Sequence, residues 1–93
     1  MDVDTLTAEL SQTFALSGTE LIYRGLVALV QKEMHLAELE ISSIRERYDV
    51  LSKEALYKAI EAGTIPAHPA WEDYIVWKNK ETHLNHLRQL IEA

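Results

Sequence analysis

The chain has 93 residues, 47% hydrophobic and 26% charged, which allows one folded domain and excludes a disordered segment. It has no cysteine, so a disulfide scaffold, a thiolate metal site and a cysteine nucleophile are excluded, and a reducing interior fits. Its net charge of −6 is spread over the chain with no basic segment, so direct nucleic-acid binding is not expected and a basic protein is the better-matched partner.

Residues 1–16 carry Leu6, Leu10 and Phe14 at steps of four, which line one helix face, with Asp4 as the expected N-cap. Leu6, Ala8 and Leu10 also alternate with Thr7 and Glu9, as a short strand does. Helix is the preferred reading.

Ser17-Gly18-Thr19-Glu20 has the form of a capping box, and Leu16 and Leu21 hold the positions of a hydrophobic staple. A long helix is therefore predicted over 17–48. Its spine is Tyr23, Val27, Val30, Met34, Ala37, Ile41, Ile44, Tyr48 and Leu51, spaced 4-3-4-3 without a slip. That is the a/d seam of a helix that lies along another helix. Ile22, Leu26, Leu29 and Leu36 form a second apolar line beside it. Some 30 residues span about 45 Å. A compact domain of this size is only about 30 Å across. A monomer would leave part of the seam wet, so a homodimer or higher assembly is expected. Its seam is assigned to Tyr23, Leu26, Val27, Val30, Met34, Ala37, Ile41 and Ile44. Beyond Ile41 the helix narrows to a single seam, which the chain's own later helices can cover.

Ser52 is the expected N-cap of a short helix over 52–62, with Leu51 and Leu56 as a second staple, a Glu54–Lys58 pair outside and Gly63 as the stop. Pro66 and Pro69 force extended backbone at Ile65 and His68, and Pro69 suits the first position of a last helix over 69–92. Trp77, Leu84 and Ile91 follow there at heptad spacing, with Leu87 beside them. The expected fold is all-α, a single helical domain over 1–93 forming an intertwined dimer. No run of about 20 apolar residues is present, which argues against a membrane span. No secretory leader is recognisable either, so cytoplasmic residence is expected.

Catalytic constellations are missing: there is no phosphate loop, nucleophile elbow or HExxH. His83 and His86 share a helix face, but two imidazoles fall short of a zinc set, and surface or packing roles are expected for them and for His35. Glu72 and Asp73 suit the start of a helix dipole rather than paired-carboxylate catalysis. No metal, cofactor or catalytic residue is assigned. Trp71, Tyr74 and Trp77, three residues apart, lie about 60° from one another and span about 120° of helix, too wide an arc for all three to face one small core, so at least one is expected to anchor a partner. Trp71, Tyr74, Trp77 and Leu84 are the expected partner-binding residues.

The order Glu38-Leu39-Glu40-Ile41, Arg45-Glu46-Arg47-Tyr48, Leu51-Ser52-Lys53-Glu54-Ala55-Leu56, Ile60-Glu61-Ala62-Gly63 and His68-Pro69-Ala70-Trp71-Glu72-Asp73 resembles a group of short helical prokaryotic proteins with an "HPxWED" motif. Many of that group look like antitoxins of toxin–antitoxin pairs. The likeness covers about residues 17–80, and Pro69 to Asp73 is its most specific piece. Ala15 to Leu26 is similar to the first helix of ribbon-helix-helix antitoxins. The basic DNA-reading strand of those proteins has no counterpart, because residues 1–14 hold no Lys or Arg. The resemblance implies an all-α, non-enzymatic module that dimerises and neutralises a second protein, a basic toxin enzyme. A scaffold subunit that only oligomerises is the main alternative.

Overall fold

The computed structural model describes residues 1–92. It contains four helices, α1 (Val3–Phe14), α2 (Gly18–Tyr48), α3 (Lys53–Glu61) and α4 (Ala67–Glu92), and no strand among the described residues. The all-α class is thus established, and the N-terminal segment is helix. Where one domain is expected, the packing divides the chain into two compact units, Met1–Lys32 and Glu33–Ala93.

In the first unit, α1 is capped by Asp2 rather than Asp4: the Thr5 N–H donates to Asp2 Oδ1 at 2.7 Å. That backbone donor holds the Asp2 carboxyl below its ordinary pKa. Helix α1 stops at Ala15, in the left-handed region at φ 54°. The Leu16 N–H reaches back to Ser11 O and the Ala15 N–H to Gln12 O, the paired closure of a Schellman motif. Ser17 then caps α2 by accepting from the Glu20 N–H at 3.0 Å. The expected box is half formed, because the Glu20 carboxylate takes Arg24 Nε at 2.9 Å instead of reaching back. Leu10, Leu16, Leu21, Val27 and Val30 are half-buried here, and no residue of this unit is fully buried.

The second unit contains the core. Ala37, Ile41 and Ile44 of α2, Leu56 of α3, and Ala70, Trp77 and Leu84 of α4 are buried together. The α4 members recur every seven residues, so one stripe of that helix meets the α2 seam. Cross-links order the pairing: Glu38 with Arg88, Glu40 with Lys80, and Arg47 with Asp73. Later residues of α4 meet earlier residues of α2, so the two run antiparallel. The C-terminal half of the seam is therefore covered within the chain.

The ends of these helices follow local rules. Asp49 (φ 53°) and Gly63 (φ 77°) both close Schellman motifs. Val50 N–H donates to Arg45 O, and Thr64 N–H to Ala59 O. Ser52 caps α3 through the Ala55 N–H at 3.1 Å. The second staple is absent, because Leu51 leaves the seam and is exposed while Leu56 is buried. Lys53, not Lys58, pairs with Glu54 at 3.1 Å. His68 is extended (φ −116°, ψ 129°), so the regular part of α4 begins at Pro69 as expected.

Two substitutions probe this frame. Leu56, with no exposed surface, is expected to cost about 2–5 kcal/mol as Leu56→Ala. A Cβ at Gly63 would meet nothing within 4 Å, so Gly63→Ala should cost only the left-handed backbone penalty, about 1 kcal/mol. Urea denaturation followed by circular dichroism reads both.

Candidate functional site

Trp77 is the organising side chain of the second unit. It is fully buried, and its indole N–H donates to Glu81 Oε1 at 3.0 Å. Glu81 also pairs with Lys53 at the start of α3, and Arg45 of α2 lies over the indole at 5.4 Å from its centroid. The Trp77 ring therefore ties three helices together. The Glu81 and Glu54 carboxylates raise the pKa of the Lys53 ammonium. Arg45 also donates to Leu51 O at 3.2 Å. An open hollow of about 500 Å3 lies between α2 and α4, lined in part by Arg45, Glu81 and Arg88. Each of these charges already has a partner inside the chain: Arg88 is 3.6 Å from Glu38. The hollow is a joint between helices, with Ser42 and Glu38 also on its lining.

Asp73 is a second joint. Its carboxylate accepts from Arg47 at 2.7 Å and from the Tyr48 hydroxyl. Partial burial works to raise the Asp73 pKa, but the Tyr48 and Arg47 donors outweigh it and hold the carboxyl below its ordinary value. Burial, reinforced by Asp73, pushes the Tyr48 phenol up. Glu72, the other half of the acidic pair, accepts from its own backbone N–H and faces His68 Nδ1 at 2.9 Å; both lower its pKa. These carboxylates secure the start of α4, Asp73 on the end of α2 and Glu72 on His68.

The expected partner-binding set separates. Trp77 and Leu84 lie in the core and offer no surface, because heptad spacing from Ala70 turns them onto the α2 seam. Trp71 is 40% exposed and Tyr74 is half-buried. Their rings stack at 5.4 Å, and Tyr57 of α3, 37% exposed, completes the cluster at 5.4 Å from Tyr74 and 6.0 Å from Trp71. Tyr57 escaped the sequence reading; its place one residue after Leu56, at the edge of the α3 apolar face, was the available signal. A hollow of about 280 Å3 adjoins the cluster, with Glu54, Glu61 and Lys58 on its rim. This aromatic patch, bordered by charges of both signs, is the first candidate surface.

The seam also separates. Ala37, Ile41 and Ile44 are covered by the chain's own helices, so they are not free to form a dimer contact, and Met34 packs at the edge of that core. Val27 and Val30 are half-buried, whereas Tyr23 and Leu26 are exposed. Ile22 and Leu29 are exposed beside them, as are Leu6 and Phe14 of α1. The apolar surface of the first unit is the second candidate surface.

Among the described residues, no group of three or more His, Asp or Glu is gathered as a metal set. His35, His83 and His86 are all exposed. No single helix is long and apolar enough to cross a membrane.

Comparison with known proteins gives a family match. The family model described as the Uncharacterized protein MJ0235 family matches residues 1–93. No curated protein and no solved structure matches the chain.

The Asp73 joint has a pH signature. Its folded pKa lies below the unfolded one, so its contribution is present above the ordinary carboxylate range and is lost as pH falls through the depressed value. Asp73→Asn is expected to cost about 1–2 kcal/mol at pH 7, since it leaves Arg47 without its counter-charge. The gap from the parent should shrink towards pH 3. Urea midpoints at the two pH values check it.

Proposed function

We propose that this chain, which belongs to the Uncharacterized protein MJ0235 family, is a non-enzymatic protein-binding module of antitoxin type, which dimerises and restrains a second protein, a basic toxin enzyme. The single observation that carries this reading is the exposed aromatic cluster of Tyr57, Trp71 and Tyr74. Two of its rings leave more than a third of their surface in water. Aromatic side chains give large contact area at low entropy cost and dominate the energetics of protein interfaces. The net charge of −6 favours a cationic partner and steers its approach.

The chemistry of the rest of the chain points the same way. The polar side chains at the helix joints are engaged with one another, as Arg47 is with Asp73 and Glu81 with Trp77. What is left to act is surface. The likeness of Pro69-Ala70-Trp71-Glu72-Asp73 to the antitoxin-like "HPxWED" group supports the same reading, because Trp71 of that motif is the exposed tryptophan. A scaffold subunit of a larger complex is the alternative, and it shares the dimer but needs no toxin.

The test is genetic and biochemical together. The product of the neighbouring gene, expressed alone, is expected to arrest growth, and co-expression of this chain should restore it. The double substitution Trp71→Ala with Tyr57→Ala should abolish restoration and weaken binding of the purified partner by 100-fold or more, corresponding to about 3 kcal/mol. A harmless neighbour favours the scaffold, and full binding by the variant removes the aromatic surface from the account.

A further inference from the structure

We propose that the first unit is completed by a second copy of the chain, with the apolar stripe of α1 in one copy covering the flank of α2 in the other, reciprocally. This rests on the dimeric reading above, but of the a/d spine it keeps only Tyr23 and shifts the interface onto the neighbouring flank of α2. The contact is assigned to Leu6 and Phe14 of α1 and to Ile22, Tyr23, Leu26 and Leu29 of α2.

Exposure is the first support. Ile22, Leu26 and Leu29 are 57%, 60% and 56% exposed, Tyr23 and Phe14 are each 61% exposed, and Leu6 is 45% exposed. At on the order of 100 Å2 apiece, these six side chains together leave roughly 600 Å2 in water, as much as the largest apolar patch of a typical monomer. With the backbone and rim atoms that come with them, that approaches the roughly 800 Å2 per partner of a standard stable interface.

The pattern is the second. Ile22, Leu26 and Leu29 step by four and three along one flank, with no charged residue on that line until Glu33. Leu6, Leu10 and Phe14 step by four along α1, yet only Leu10 is half-buried. Each helix thus carries a stripe that its own chain leaves largely uncovered. Two such stripes, one on each helix, allow a two-fold contact in which stripe meets flank twice. The left-handed stop at Ala15 and the Ser17 cap fix where the chain turns between them.

Charge selects the occupant. Residues 1–32 carry Asp2, Asp4, Glu9 and Glu20 against Arg24 and Lys32, a net −2. A helix that lies on a lipid surface carries a basic polar face, and this unit does not. Glu20 and Arg24 neutralise each other at 2.9 Å, so the apolar face itself meets a second copy without a repelling charge.

Sedimentation of the full chain with two double variants tests this. The parent is expected to sediment at twice 10.6 kDa. Leu26→Glu with Leu29→Glu, and separately Leu6→Glu with Phe14→Glu, should each weaken self-association by 100-fold or more. The near-ultraviolet signal of buried Trp77 should persist, showing that the second unit remains folded. Trp71→Ala with Tyr57→Ala should stay dimeric, so a failure of partner binding and a failure of this interface read out separately. A monomeric parent at about 100 µM, or a dimer that survives either Glu variant, overturns the proposal. So does a parent that binds phosphatidylcholine vesicles as a monomer.

Discussion

The second unit depends on how one tryptophan is buried. Trp77 has no exposed surface, and its indole N–H finds an acceptor in Glu81, one turn further along α4. An indole buried without that acceptor would leave an unsatisfied donor, at a cost of about 1–3 kcal/mol. Glu81 is in turn held by Lys53 at the first position of α3, and Arg45 from α2 lies over the ring. Three helices are thereby positioned around one side chain. Apolar burial supplies most of the energy; the polar contacts fix the rotation of α4. That rotation decides which aromatic residues face inward and which remain outside.

Much of this was legible in the chain itself. The 4-3 spacing announced the long helix, and Ser17, Ser52 and Gly63 marked helix ends because caps and left-handed stops are written locally. The heptad of Ala70, Trp77 and Leu84 also carried the orientation of α4, since residues seven apart share a face. Assigning Trp77 and Leu84 to a partner overlooked that constraint. Leu51 fits the seam by spacing but lies beyond the left-handed turn at Asp49, where helical phase no longer holds. Trp77 and Glu81 are four apart on one helix, so that contact too was available. The joint of Arg47 and Tyr48 with Asp73 was not. Those residues are 25 and 26 positions apart, and no local pattern encodes a contact made by the fold of the chain. Tyr57 belongs to the same class: its meeting with Trp71 and Tyr74 depends on how α3 and α4 pack.

The two units differ in how far they satisfy their own chemistry. In Glu33–Ala93 the seam is covered, the indole is hydrogen-bonded and the charges at the joints are paired. In Met1–Lys32 the helices are well capped, yet their apolar stripes face water. Local capping defines a helix but does not stabilise it in isolation, because most helical stability in proteins comes from packing of an amphipathic face. Capped helices whose apolar faces stay partly exposed are what the proposed association would complete.

The claim that the first unit is completed by association is tested most directly by amide hydrogen exchange on the parent chain across a range of protein concentrations. Protection in residues 3–32 is expected to rise as concentration passes the dissociation constant, while protection in residues 53–92 stays constant. Protection in residues 3–32 that is low and unchanged at every concentration, or equally high at the lowest with the chain monomeric, would contradict the account.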